Sequence, residues 1–147
     1  MNGTIVVGYD DNEAANRALE RGISEAIASG DEIVIVGILE TPLNPEGPQN
    51  LGTLDDSPAQ MMPLVEPNEI RVAFAHAQEA LDAAGISADF VWAAGDPSQT
   101  LVDVARERKA RVIVLGSHHH SLLGRLLGAD IAAEVKREAN CNVIVAD

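Results

Sequence analysis

The chain has 147 residues and sets 23 acidic side chains against 10 basic ones, a formal net charge of −13. A field of that sign repels nucleic-acid phosphates and anionic lipid heads, and no clustered basic stripe opposes it, so binding to nucleic acid or a membrane is not expected. The length suits one domain, 1–147, burying roughly 70% of the surface its unfolded form exposes. The single cysteine, Cys141, allows no internal disulfide. With no basic leader before an apolar run and no bilayer-length segment, a cytoplasmic location is expected.

In chain order, strand and helix alternate. Thr4 to Val7 is a β-branched run ending in Gly8-Tyr9-Asp10, with Asp11 or Asn12 placed as a helix N-cap. Ala15, Leu19, Ile23, Ala26 and Ile27 then form an apolar helical stripe, and Gly30 suits a left-handed C-terminal cap. Glu32 to Leu39 reads as a second strand, with Ile33 to Val36 and Ile38 as its core.

From Glu40 to Asn68 the periodicity stops. Six prolines between Pro42 and Pro67, and an acidic, glycine-containing middle around Gly52 to Ser57, predict a long loop with disorder favoured over a functional flap. Met61-Met62 is expected to dock onto the core.

Alternation then resumes. Ile70, Ala73, Phe74, Ala77, Ala80, Leu81 and Ala84 make an amphipathic stripe closed by Gly85, and Ala88 to Ala93 forms the next strand. Trp92 is read there as a packing residue. In Gly95-Asp96-Pro97, Asp96 caps a helix and Pro97 takes its first position, where a missing amide hydrogen costs nothing. Val112 to Leu115 is an unbroken aliphatic run, as in a central parallel strand, and Gly116 ends it. Leu126, Leu127, Ile131, Ala132 and Val135 recur at helical spacing before a last strand at Val143 to Val145.

Five strands alternating with four helices imply a mostly parallel α/β sheet covered on both faces, with ligands at the carboxyl ends of the strands where the order reverses. Asp10 and Gly116 would flank that crevice as neighbours. A strand ending in glycine and a polar loop leading to a helix N-terminus favour an anion there. The ligand is not named by this reasoning.

The chain resembles the universal stress proteins over nearly its whole length. Ile5 to Asp10 looks like the family's opening strand with its acidic end, and Gly95-Asp96-Pro97 like its third helix start. Val112 to His118 looks like the signature strand and loop, and Ala139-Asn140-Cys141-Asn142-Val143 is similar to the Ala-Pro-Cys-Pro-Val before the last strand. The resemblance implies a Rossmann-like, adenine nucleotide alpha hydrolase-like sheet of order 3-2-1-4-5. It also implies homodimers and a role in stress survival without a known reaction, which we expect to work through regulatory partner contacts or the protein's own abundance.

Some members bind ATP, with Mg, through a loop of Gly, two residues, Gly, nine residues, Gly, then Ser or Thr. Placed from Gly116, that pattern puts His119 and Ala129 at the second and third glycines and Asp130 at the hydroxyl, so three of four positions depart. By resemblance the degenerate nucleotide site comprises Asp10, Ile38, Gly116, His118, His119, Ala129, Asp130 and Ile131. His119 would strain a left-handed turn by roughly 1–2 kcal/mol. Asp130 would face a phosphate at about 5 Å, on the order of 3 kcal/mol at an effective dielectric of about 20. Weak or absent ATP binding follows, with no other cofactor expected; the alternative is a module whose partner choice responds to ATP or AMP.

Other chemistry is less well supported. Asp10 is open to two readings, a holder of the nucleoside or a capping carboxylate, and Gly116 serves a tight strand exit with or without ligand. His118-His119-His120 suggests a metal, but adjacent residues seldom aim three rings at one ion. Ser117 and Ser121 lack an elbow motif, and Cys141 precedes a core strand, so no catalysis is assigned. The strand from Asn142 to Ala146 should lie at a sheet edge and pair with a second copy, burying Val143 or Val145.

Overall fold

The computed structural model describes residues 3–39, 67–116 and 131–146. Strands β1 (Thr4–Gly8), β2 (Glu32–Leu39), β3 (Ala88–Ala94), β4 (Val112–Gly116) and β5 (Asn142–Ala146) form one sheet of order β3-β2-β1-β4-β5. Every pairing is parallel. The central position of β1 explains its composition: Ile5, Val6 and Val7 are fully buried because both faces are covered.

Helices α1 (Glu13–Ser29) and α2 (Asn68–Ala84) pack on one face, and α3 (Pro97–Arg108) and α4 (Ile131–Glu138) on the other. Alternation along each strand divides the core accordingly. Ile5, Val7, Ile33, Ile35, Val112 and Val114 meet α1 and α2, whereas Val6, Val34, Val36, Ile113 and Leu115 meet α3 and α4. Gly22 lets α1 settle onto β1, since a Cβ there would stand 2.7 Å from a Val7 methyl. Gly37 does the same for α2, whose Phe74 ring would lie 2.8 Å from such a Cβ.

The expected caps form. Asn12, not Asp11, caps α1, its side chain accepting from Ala15 N at 2.7 Å. Asp96 caps α3 by accepting from Gln99 N at 2.9 Å, with Pro97 in the first turn. Gly30 and Gly85 close α1 and α2 in the left-handed conformation. Of the long connection expected from Glu40 to Asn68, residues 40–66 lie outside the described residues, Met61 and Met62 among them; Pro67 stands at the cap of α2 and Asn68 is already helical.

Two stripe assignments are corrected: Ala84, in the last turn of α2, is exposed, and Ile27 is 65% exposed. The buried stripe of α1 runs Ala14, Ala15, Ala18, Leu19, Gly22, Ile23 and Ala26. At about 100° per residue Ile27 falls well to one side of that stripe, with Ile23 already at its border.

At the amino ends of the strands, Asp31 joins three parts of the chain. It accepts from Gly3 N at 2.8 Å and from the Arg111 guanidinium, which also reaches Glu25 at 3.5 Å. Burial pushes the Asp31 carboxyl up, but these donors outweigh it and hold the group below its ordinary value. Among the described residues no helix is long and apolar enough to cross a membrane.

Candidate functional site

The sheet order places its switch point at β1, with β2 on one side and β4 on the other. The carboxyl ends of β1 and β4 are where a doubly wound sheet is expected to take a ligand, and α1 and α4 lie on opposite faces of it. The two strands pair from Ile5 with Val112 to Val7 with Val114, so extending the register brings Tyr9 level with Gly116. That register sets the exit of β1, where the exposed Asp10 follows Tyr9, beside the end of β4.

Gly116 has a packing duty there. A Cβ on it would stand 2.5 Å from the carbonyl oxygen of Ala14 in the first turn of α1. Glycine thus lets the helix start lie against the strand end, which brings the α1 amide groups and their partial positive charge to the crevice.

The turn from β1 into α1 is built by side chains. Tyr9 N continues the ladder by donating to Val36 O at 2.9 Å, and the Tyr9 ring is buried. Its hydroxyl donates to Asn16 Oδ1 at 2.7 Å and lies 3.3 Å from Asp11 Oδ1. Burial first, then the Asp11 and Asp10 charges, push the phenol well above its ordinary range, so Tyr9 stays a neutral donor. Asp11 has a positive φ of 61°. Its carboxylate oxygens lie 3.0 and 2.9 Å from Nδ1 of His76 on α2.

Ile38, near the end of β2, is half-buried and packs against the α3/α4 core, so part of it borders the same end of the sheet. Next to it, Gly95 N donates to Leu39 O at 3.0 Å and ties the exit of β3 to that of β2. Ile131 begins α4 and is half-buried against the same core. That helix is anchored by Ser98, whose largely buried hydroxyl lies 2.6 Å from Glu134 Oε1 and 3.0 Å from Asp96 Oδ2. His118, His119, Ala129 and Asp130 lie outside the described residues, as do Ser117, His120 and Ser121.

The Asp11–His76 contact escaped sequence reasoning, since 65 residues separate the partners. Two acidic residues where a strand meets a helix were the available signal. Among the described residues no group of three or more His, Cys, Asp or Glu side chains is placed to hold a metal. Cys141 lies at the other end of the sheet, where it lines a cleft of about 220 Å³ with Val102, Ala105, Lys109 and Ala139. It is half-buried, and burial pushes its thiol up, away from the reactive thiolate.

The model of the universal stress protein family matches residues 1–147. Among solved structures, a universal stress protein in complex with cAMP is 26% identical, with a TM-score of 0.70 over 99% of this chain and 97% of that one. A universal stress protein from Archaeoglobus fulgidus in complex with dAMP is 19% identical, with a TM-score of 0.62 over 100% and 98%. An Arabidopsis thaliana family member with AMP bound is 13% identical, with a TM-score of 0.63 over 98% and 90%. At these last two identities the likeness shows the shared fold.

Proposed function

The chain belongs to the universal stress protein family, and on that footing we propose a non-catalytic, cytoplasmic, homodimeric stress-response protein. Its crevice at Asp10 and Gly116 takes an adenosine monophosphate and takes ATP weakly or not at all. The observation that carries this is the exposed Asp10 at the switch point, beside the start of α1, in a chain that aligns almost end to end with a 26% identical protein holding cAMP.

Charge supports the preference for fewer phosphates. The resemblance puts Asp130 where a hydroxyl would donate to the phosphates, and each like-charge pair at about 5 Å opposes binding by on the order of 3 kcal/mol. A single phosphate meets that carboxylate with less charge than a triphosphate does. Nucleotide binding that changes partner choice is the regulatory form of the same reading, and nucleotide co-purifying with the protein would favour it.

Parallel calorimetric titrations with AMP and Mg-ATP test the proposal, alongside an assay of phosphate release. Measurable AMP binding with weaker ATP binding is expected. Tight Mg-ATP binding, or steady phosphate release abolished by Asp10→Ala, would overturn it.

A further inference from the structure

The turn that carries Asp10 is held from a distant part of the chain. Asp11 adopts a φ of 61°, a region that a residue with a Cβ enters at a cost. Its two carboxylate oxygens flank His76 Nδ1 at 3.0 and 2.9 Å, while the Tyr9 hydroxyl stands 3.3 Å from one of them. Asp10 lies between these two anchored residues. Asp11 is 28% exposed at its side chain and His76 52%, so the contact is open to solvent and to titration.

We infer that His76 is a positioning residue for the nucleoside end of the crevice: acting through Asp11, it holds the β1–α1 turn left-handed and so fixes Asp10 for its ligand. This rests on the crevice being a nucleotide site. Among the described residues, the charged groups facing the imidazole are Asp11 from the turn and Glu79 from α2 itself. The hydrogen bond to Asp11, then its charge, with Glu79 adding, hold the ring protonated above its ordinary range. A neutral ring still donates from Nδ1, so deprotonation weakens the clamp without removing it.

The test is AMP affinity by calorimetry between about pH 6 and pH 9 for wild type, His76→Ala, His76→Gln, Asp11→Gly and the double variant. His76→Ala should bind about tenfold more weakly, as the strain of a left-handed non-glycine residue implies. The ratio of wild-type to His76→Ala affinity should fall roughly threefold as pH rises, a comparison that cancels the titration of the AMP phosphate. Glutamine donates without titrating, so His76→Gln should recover most of the loss and keep a constant ratio to His76→Ala. Glycine accepts the positive φ unaided, so removing His76 from Asp11→Gly should change nothing.

Equal affinities for wild type and His76→Ala would overturn the inference. So would an undiminished loss on removing His76 from Asp11→Gly. If no variant binds AMP, the proposed function fails, and the backbone amide of Asp10 in NMR spectra decides the clamp alone. That amide should follow the His76 ring through its titration in wild type and not in His76→Ala; an amide indifferent to the ring overturns the clamp.

Discussion

Gly116 lies so close beneath Ala14 that a single added carbon would stand 2.5 Å from the Ala14 carbonyl oxygen and 2.7 Å from its Cβ. The obstacle is backbone at the start of α1, which cannot turn aside as a flexible side chain can. Gly116→Ala should therefore destabilise the fold by about 1–3 kcal/mol, the usual range for overpacking. Urea unfolding should show a lower midpoint with an unchanged slope. An unchanged midpoint would mean that α1 shifts freely.

The Asp31 and Arg111 pair makes a pH prediction at the opposite end of the sheet. Because the folded carboxyl titrates below its ordinary 3.8, the unfolded chain binds the proton more readily between the two values. The contribution to stability is present above pH 3.8 and is lost as pH falls through the folded value. Arg111→Met should cost about 1 kcal/mol near neutrality, since Arg111 is partly exposed, and the difference should shrink below that window. Denaturant curves at neutral and acid pH check this; a pH-independent difference would point to lost packing of the arginine stem.

Much of the fold was legible because it rests on local signals. The aliphatic run from Val112 to Leu115, the cap at Asp96-Pro97 and the terminal glycines Gly30 and Gly85 each act within a few residues, and the structure uses them as read. Ile27 failed because a helical stripe has borders that apolarity alone does not mark. Asp11–His76 and Asp31–Arg111 span 65 and 80 residues, distances over which no sequence period operates. Gly22 and Gly37 did carry a signal, since glycine inside a helix or strand often marks a close approach.

On the proposed reading of the segment between Gly116 and Ile131 as a phosphate-binding loop, Asp130→Ser should improve ATP affinity by up to about a hundredfold, the equivalent of about 3 kcal/mol. Restoring glycine at His119 and Ala129 should add to that, because backbone access and charge are separate obstacles. Calorimetry at two salt concentrations checks the cause: the gain from Asp130→Ser should shrink at high salt to the extent that the site meets solvent. Equal, negligible ATP binding by wild type and both variants would remove the loop from any role in phosphate binding.

Assembly offers a prediction at β5, an outer strand of the sheet as expected. Val145 is half-buried there, and a dimer formed along this edge would cover it. Val145→Lys should weaken such a dimer by about tenfold or more, through loss of apolar burial and like-charge repulsion across the twofold axis. Sedimentation at micromolar concentration should change from dimer to monomer. A wild-type monomer, or a variant that still dimerises fully, would place the contact on another surface.

The chain has four aromatic side chains, two Phe, one Trp and one Tyr. Phe74 and Phe90 meet at a tilt, with centroids 4.8 Å apart and ring planes 56° to one another, and Trp92 sits on the same strand as Phe90, opposite Gly37 on β2. This grouping divides the optical spectrum by location. Trp92 emission reports on the β2–β3–α2 corner, at the opposite edge of the sheet from β5, whereas Tyr9 absorbance reports on the turn beside Asp10. Fluorescence excited in the tryptophan band should thus be insensitive to separation of a dimer along β5, so a change in emission on dilution would signal loosening of the β2–β3 corner instead.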